Sequence, residues 1–293
     1  MLLAIDVGNS HTVIGLFAGS RLRCQWRVGS FPAATVDELA ALVYGLFAMK
    51  NITFSQVDGV VIASVVPRVT STWSRFAVSF IGPDLNVTPL VIDNHLNFPI
   101  RVALANPAEV GADRLVNAIA AYHRYQSALI IVDFGTAITL DCVSASGDYL
   151  GGTITPGVAI ALEALGQRTA RLPQVDITIP PTAAIGNSTV EAVRAGVLFG
   201  YAGMIEGLVQ RVCRQMAPET PKVIATGGIA ELIAPYTDVI EEVIPQLTLE
   251  GLRLIYECNR EATVKHRLPQ PKATRNPSTV SRNKTNQPTE GER

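Results

Sequence analysis

The chain has 293 residues, of which 48% are hydrophobic and 17% are charged, and its formal net charge is -1. This length allows two compact domains, and the near-neutral charge excludes a global positive excess that would attract nucleic acid or acidic membranes. The four cysteines form no C-x-x-C pair, so neither a disulfide framework nor a zinc knuckle is expected. No basic signal region precedes Asp6 and no apolar run reaches about 20 residues, which predicts a cytoplasmic protein that does not enter membranes.

The first half of the chain has the pattern of a small β-sheet with one helix. Residues 2–17 predict a hairpin with turn residues at its centre, and residues 21–28 alternate as a third strand. Residues 36–50 carry apolar side chains at helical spacing, and residues 57–66 form a β-branched run typical of a central strand.

The second half repeats this order. An apolar strand at residues 128–132 runs into a turn at Asp133, and strands follow at residues 137–143 and 149–150. Helical spacing comes next at residues 158–165 and 189–216, and then a buried strand at residues 223–226. The repeat predicts two similar α/β domains, at residues 1–121 and 122–263. Residues 264–293 are basic and polar with little to bury, which predicts a disordered tail.

Two common nucleotide-binding motifs are absent from the sequence. There is no G-x-x-x-x-G-K-[ST] loop, and no two glycines are separated by a single residue, which excludes the P-loop and the G-x-G-x-x-G fingerprint. Any phosphate site must therefore use another device.

The turn at the end of the first strand is a candidate for that device. Gly8 allows a sharp turn whose N–H groups approach a ligand, while Asn9, Ser10 and Thr12 offer short polar side chains for phosphate oxygens. A carboxylate such as Asp6 would repel phosphates unless a cation lay between them, so Asp6 implies Mg²⁺, bound through water. An exposed histidine in such a loop, here His11, more often has no role.

The second turn, Asp133-Phe134-Gly135-Thr136, offers the same parts from the other half of the chain. Thr226-Gly227-Gly228 follows a third buried strand and would admit an adenosine. Each motif alone is more often a plain turn. Together and in this order they resemble the phosphate and adenosine segments of the actin-like ATPase superfamily. That resemblance implies two ribonuclease H-like domains with ATP in the cleft between them.

A third motif, Gly111-Ala112-Asp113-Arg114, opens a predicted helix. Backbone N–H groups are free in a first helical turn, so anions are stabilised there. An Asp at this place can accept a proton from an alcohol, and an adjacent Arg can bind a carboxylate or a transferring phosphoryl group. From spacing alone, the favoured interpretation is that Asp113 caps the helix and Arg114 forms a surface ion pair.

A wider set of motifs resembles the type III pantothenate kinase family and covers roughly residues 1–260. The motifs occur in the family's order: Asp6-Val7-Gly8-Asn9, Glu109 to Ala118, Asp133 to Ala137, Gly151 to Gly157, Arg168-Thr169-Ala170-Arg171-Leu172-Pro173 and Gly186-Asn187-Ser188-Thr189. The resemblance implies ATP-dependent phosphorylation of pantothenate, the first step of coenzyme A synthesis.

The resemblance also implies roles for individual residues. Asp113 would be the general base, Gly111, Ala112 and Arg114 would contact pantothenate with Asp113, and Thr189 would complete the pocket. ATP would be held by Thr136 and by the residues Asp6, Val7, Gly8, Asn9, Ser10, His11, Thr12 and Val13. Asp133 would bind K⁺ (or NH₄⁺), and the protein would be a homodimer with its active site near the subunit interface.

The sequence departs from the family's pattern at Leu104, where the family usually has a substrate-side Tyr. Two other functions remain open at this stage. One is a sugar or acetate kinase of the same superfamily, against which the Gly-Ala-Asp-Arg run argues. The other is a catalytically silent regulator, against which the retention of Asp6, Asp113, Arg114 and Asp133 argues.

Overall fold

The computed structural model describes residues 1–64, 66–82, 87–93, 96–169, 173 and 175–265. Its strands are β1 (Leu2–Val7), β2 (His11–Ala18), β3 (Arg21–Gly29), β4 (Gly59–Ser64), β5 (Leu90–Val91), β6 (Arg101–Val102), β7 (Leu129–Phe134), β8 (Ala137–Val143), β9 (Asp148–Pro156), β10 (Lys222–Gly227) and β11 (Glu242–Val243). Its helices are α1 (Val36–Ala48), α2 (Pro67–Phe76), α3 (Ala112–Tyr125), α4 (Val158–Arg168), α5 (Thr189–Met216), α6 (Ala230–Ile233) and α7 (Leu247–Lys265).

The strands form two sheets with the same topology. The first has the order β3-β2-β1-β4-β5 and the second the order β11-β10-β7-β8-β9-β6. Read from its other end and without β6, the second sheet repeats the first, with β7 in the place of β1. Both central strands pair antiparallel with the next strand in the chain and parallel with a later one. The predicted fold class, two similar α/β units, is confirmed.

The two predicted Asp-x-Gly turns lie at equivalent places. Asp6 and Asp133 are each the next-to-last residue of a central strand whose preceding residues are fully buried. The Gly8 amide donates to the carbonyl of His11 at 3.0 Å, and the Gly135 amide donates to that of Ala137 at 3.1 Å. Each apolar run thus folds into a strand that delivers a carboxylate to the carboxyl end of its sheet.

Helices α3 and α7 lie between the sheets. One side of α3 packs Leu115 and Ala118 against residues of β7, and the other packs Val116 and Ile119 with β1, β4 and α7. Leu249 lies in that second cluster, so α7 follows the second sheet in the chain but covers the first. A domain boundary at residues 121 and 122 would fall inside α3, and this boundary remains a prediction.

Several elements were not predicted from the sequence: α2, α6, α7, β5, β6 and β11. Helix α5 has the predicted bounds, and its buried stripe of Leu198, Ala202, Ile205 and Val209 packs in the second core. By length and composition alone, α5 could also span a membrane, a test that core helices of soluble proteins pass too. Helix α7 continues to Lys265, so the first two residues of the predicted tail are helical; the rest of the tail and residues 170–172 lie outside the described residues.

Candidate active site

Three carboxylates predicted from the sequence influence one another at one place between the sheets. Asp6 and Asp133 end their strands, and Asp113 is in the first turn of α3. Burial, and then the charges of Asp133 and Asp113, raise the pKa of Asp6 to about 7. Burial and the charge of Asp113 raise the pKa of Asp133 to about 6. The structure therefore brings together acids that are far apart in the sequence.

Such a group of acids suits a cation, because a positive charge among them offsets both their burial and their repulsion. Within the described part of the chain, no three His, Cys, Asp or Glu side chains are close enough to ligate one ion by themselves. Mg²⁺ at phosphate sites usually keeps several waters and takes only one or two carboxylates. Asp6 and Asp133 fit a cation of that kind, shared with phosphate oxygens.

Asp133 is held in place by two helices. The Asn117 amide donates to its Oδ2 at 2.9 Å, and the Thr248 hydroxyl in α7 donates to Oδ1 of Asn117 at 2.8 Å. The Asn117 hydrogen bond lowers the pKa of Asp133. Asn117 was quoted in a family motif but given no role; its place four residues after Asp113, on the same face of α3, was the available signal.

Arg114 is anchored inside the protein. Its Nε lies 2.7 Å from Oδ1 of Asp141, which is fully buried, while the side chain of Arg114 is 16% exposed. Asp141 also accepts hydrogen bonds from the hydroxyls of Thr139 at 2.8 Å and Tyr149 at 2.6 Å. The alternative of a surface ion pair is therefore wrong, and sequence analysis missed Asp141, which nothing near Arg114 in the chain reveals.

One end of the Arg114 guanidinium has no partner. Its Nη2 is buried and makes no hydrogen bond within the described residues. Buried donors are nearly always satisfied, so this one can receive a hydrogen bond acceptor from an ordered water or a bound ligand. Asp113 is not the N-cap residue of α3, which is Gly111. Its Oδ1 accepts a hydrogen bond from the first-turn amide of Arg114 at 2.9 Å, and no hydrogen bond to its Oδ2 is described.

The first turn divides into anchored and available side chains. The Thr12 hydroxyl is buried and lies 2.9 Å from Oγ of Ser30, which donates to the Gly8 carbonyl at 2.7 Å. Thr12 thus stabilises the turn, and its hydroxyl is already engaged. Asn9, Ser10 and His11 are exposed and open to a ligand.

The second turn faces the glycines of β10. Gly227 has φ +95, and a Cβ there would lie 2.5 Å from Oδ1 of Asp133, so only glycine fits. Thr136 is exposed, and its carbonyl accepts from the Gly157 amide at 3.0 Å. A Cβ on Gly228 would lie 2.7 Å from Nη1 of Arg27, a residue of β3 that sequence analysis did not single out.

Comparisons with known proteins agree with this site. The type III pantothenate kinase family matches residues 2–211. The type III pantothenate kinase of Desulfatibacillum aliphaticivorans is 46% identical over 88% of this chain and 98% of its own length, and that of Geobacter sulfurreducens is 46% identical over 89% and 100%. The chain belongs to the type III pantothenate kinase family. It is accordingly a kinase that uses ATP.

A solved structure supports the fold of this type III pantothenate kinase family member. The activator of the 2-hydroxyisocaproyl-CoA dehydratase from Clostridium difficile with bound ADPNP has a TM-score of 0.54 and 13% identity, and the match covers 93% of this chain and 99% of that one. At this identity the likeness shows the fold alone.

Two predicted substrate residues of this family member have no hydrogen bond to the carboxylates among those described. Leu104 is half-buried and packs with the cluster that contains Val110 and Tyr149. Thr189 is exposed in the first turn of α5, and no hydrogen bond described joins it to the carboxylates. The substrate role of Thr189 remains a prediction.

Proposed function

We propose that the protein transfers the γ-phosphoryl group of ATP to the primary hydroxyl of pantothenate and supplies 4'-phosphopantothenate for coenzyme A synthesis. One observation carries this proposal. An available carboxylate, Asp113, lies beside an anchored Arg114 with an orphaned donor, next to two turns of the kind that holds phosphates. Pantothenate has a hydroxyl and a carboxylate, which match a base and a guanidinium respectively.

Asp113 acts as the general base in this proposal. It is partly exposed to the cleft, and its carboxylate can accept the proton that the hydroxyl loses as the phosphoryl group arrives. Arg114 orients the acid end of pantothenate together with the backbone at Gly111 and Ala112. Because Asp141 fixes the guanidinium, little rotamer entropy is lost when the substrate binds.

The nucleotide occupies the cleft between the two turns in this proposal. The segment from Asp6 to Val13 and Thr136 contact its phosphates. Mg²⁺, bound through water at Asp6, and K⁺ or NH₄⁺ at Asp133 would neutralise charge on the phosphates when present. The donor set fits both ions, because the two carboxylates have raised pKa values that a nearby cation would lower.

We also propose that the protein is a cytoplasmic homodimer that binds neither nucleic acid nor membranes. The second domain exposes large apolar side chains on β9, α4 and α5, namely Leu150, Ile154, Ile160, Leu165 and Phe199. We propose that these elements form the subunit interface, where such side chains would be covered. Thr189 begins α5, so pairing through this face would place a predicted substrate residue near the subunit interface.

An ADP-release assay tests the proposal. Purified protein is given ATP, Mg²⁺, K⁺ and pantothenate, and each is omitted in turn. We expect turnover to require all four, with Na⁺ a poor substitute for K⁺. Turnover with a sugar or acetate in place of pantothenate, or no turnover from protein that binds ATP, would overturn it. Light scattering on the same sample checks the dimer.

A further inference from the structure

Arg27 shares a face of the first sheet with the catalytic carboxylates. Asp6 of β1 is the register partner of Val13 in β2, which is in turn the register partner of Arg27 in β3. Successive residues of a strand alternate between faces, and the neighbours Trp26 and Val28 pack in the first core. Arg27 therefore projects from the opposite face, the one that carries Asp6.

The guanidinium of Arg27 reaches the second half of the molecule. A Cβ built on Gly228 would lie 2.7 Å from Nη1 and 2.8 Å from Nη2 of Arg27. Gly228 directly follows β10, whose Gly227 adjoins Asp133. Arg27 belongs to the first sheet, and it thus lies against the loop predicted to admit adenosine, which belongs to the second sheet.

Nothing in the described part of the chain occupies the donors of this guanidinium. Arg27 is exposed, and it takes part in no ion pair or hydrogen bond recorded there. The positive charge of Arg27 nevertheless acts on the acids of the cleft, since it lowers the pKa of Asp6 and of Asp133. An arginine that lies near two acids without pairing to either of them is free to bind an anion.

We propose that Arg27 binds the β- and γ-phosphates of ATP from the first sheet, bridging the cleft between the two nucleotide turns. The sequence has no P-loop lysine, and a planar guanidinium is suited to two phosphate oxygens at once. This inference rests on the proposed function only in that the anion is ATP; it does not depend on the acceptor.

Nucleotide binding without pantothenate tests this role. Calorimetry in Mg²⁺ and K⁺ would compare AMP, ADP and ATP on the wild type, Arg27→Gln and Arg27→Lys. The matched control is Arg23→Gln, an exposed arginine on the same strand. We expect Arg27→Gln to weaken ATP about 10- to 100-fold, in line with a charged hydrogen bond, to weaken ADP less and to leave AMP unchanged. Arg27→Lys should retain part of the affinity.

The pattern across the three nucleotides decides the outcome. An equal loss for AMP, ADP and ATP would make Arg27 a structural residue of the loop, and unchanged ATP binding would remove it from the site. A loss of the same size in Arg23→Gln would show a general charge effect. Because no acceptor is present, failure of pantothenate turnover leaves this result intact.

Discussion

The two Asp-x-Gly turns lie at equivalent places in their sheets and have different surroundings. Asp133 accepts a hydrogen bond from Asn117, whereas no hydrogen bond to the carboxylate of Asp6 is recorded in the described chain. Across the parallel pairing, Asp133 faces Thr226 and Asp6 faces Ala63. The pKa is raised to about 6 for Asp133 and to about 7 for Asp6.

This difference teaches that one turn, used twice, can have different polar support in its two copies. The Asn117 hydrogen bond favours the anion of Asp133, which suits a cation site. Asp6 has no such hydrogen bond in the described chain, and burial is the largest cause that raises its pKa. The two turns are therefore related in fold and unequal in electrostatics.

The largest expected effect comes from a carboxylate outside both turns. The proposal assigns nucleotide binding to the turns and the general base to Asp113. Asp113→Asn should therefore lower kcat about 10²- to 10⁴-fold, the usual contribution of a general base, while ATP binds as before. Steady-state rates and ATP titration would check this. A variant with a rate near that of the wild type would remove Asp113 as the base.

The next largest effect on turnover is expected at Asp133, whose carboxylate accepts the Asn117 hydrogen bond. Asp133→Asn should slow turnover about 10- to 100-fold, the usual cost of disturbing a metal site, and should abolish the difference between K⁺ and Na⁺. Asn117→Ala, which removes only the supporting hydrogen bond, should reduce the K⁺ dependence less. A variant of Asp133 that still prefers K⁺ would show that the cation lies elsewhere.

Asp6→Asn should raise the stability of the ligand-free protein above neutral pH. Its pKa in the folded protein is about 7, above the ordinary 3.8, so its contribution to stability is fully present below about pH 4 and is lost as the pH rises through about 7. Asn does not ionise, so the Asp6→Asn variant does not lose stability in this way as the pH rises. Without ligand, we expect its Tm to exceed that of the wild type by a few degrees at pH 8, with a smaller gap at pH 5.

Thermal melts across this pH range check the sign. Asp37→Asn, an exposed carboxylate in α1, serves as the control and should shift Tm little at any pH. A gap for Asp6→Asn that shrinks as the pH rises would contradict the raised pKa.

The smallest effect is expected from the basic tail. Deleting residues 266–293 should leave kcat and both KM values unchanged, because every motif quoted for the site lies before residue 190 or at residues 226–228. The omission assay on the truncated chain measures this. A large loss would give the basic tail a function that its composition does not indicate.

Local patterns were sufficient to predict the repeated unit. The apolar run before Asp6, the same run before Asp133, and the bounds of α5 were all predicted from short-range periodicity and turn chemistry. The first-turn position of Asp113 followed in the same way, since α3 begins at Ala112.

Long-range partners could not be predicted in this way. Alternation predicted β3 as a strand, but only the sheet order shows that Arg27 lies in line with Asp6. Asp141 meets Arg114 because β8 passes beside α3, and no local signal contains that information. Thr139 and Tyr149 complete the same network from neighbouring strands.

The position of α7 has a consequence for synthesis on the ribosome. Leu249, Leu252 and Ile255 complete the core over β1 and β4, and a Cβ on Gly59 would overlap the hydroxyl of Tyr256. The first sheet is finished by β5, yet the helix that covers it is translated last. At about 5–20 residues per second, the nascent sheet waits roughly 10–30 s for α7, with the part of this apolar face that α3 does not cover left exposed, a window in which chaperones can bind it.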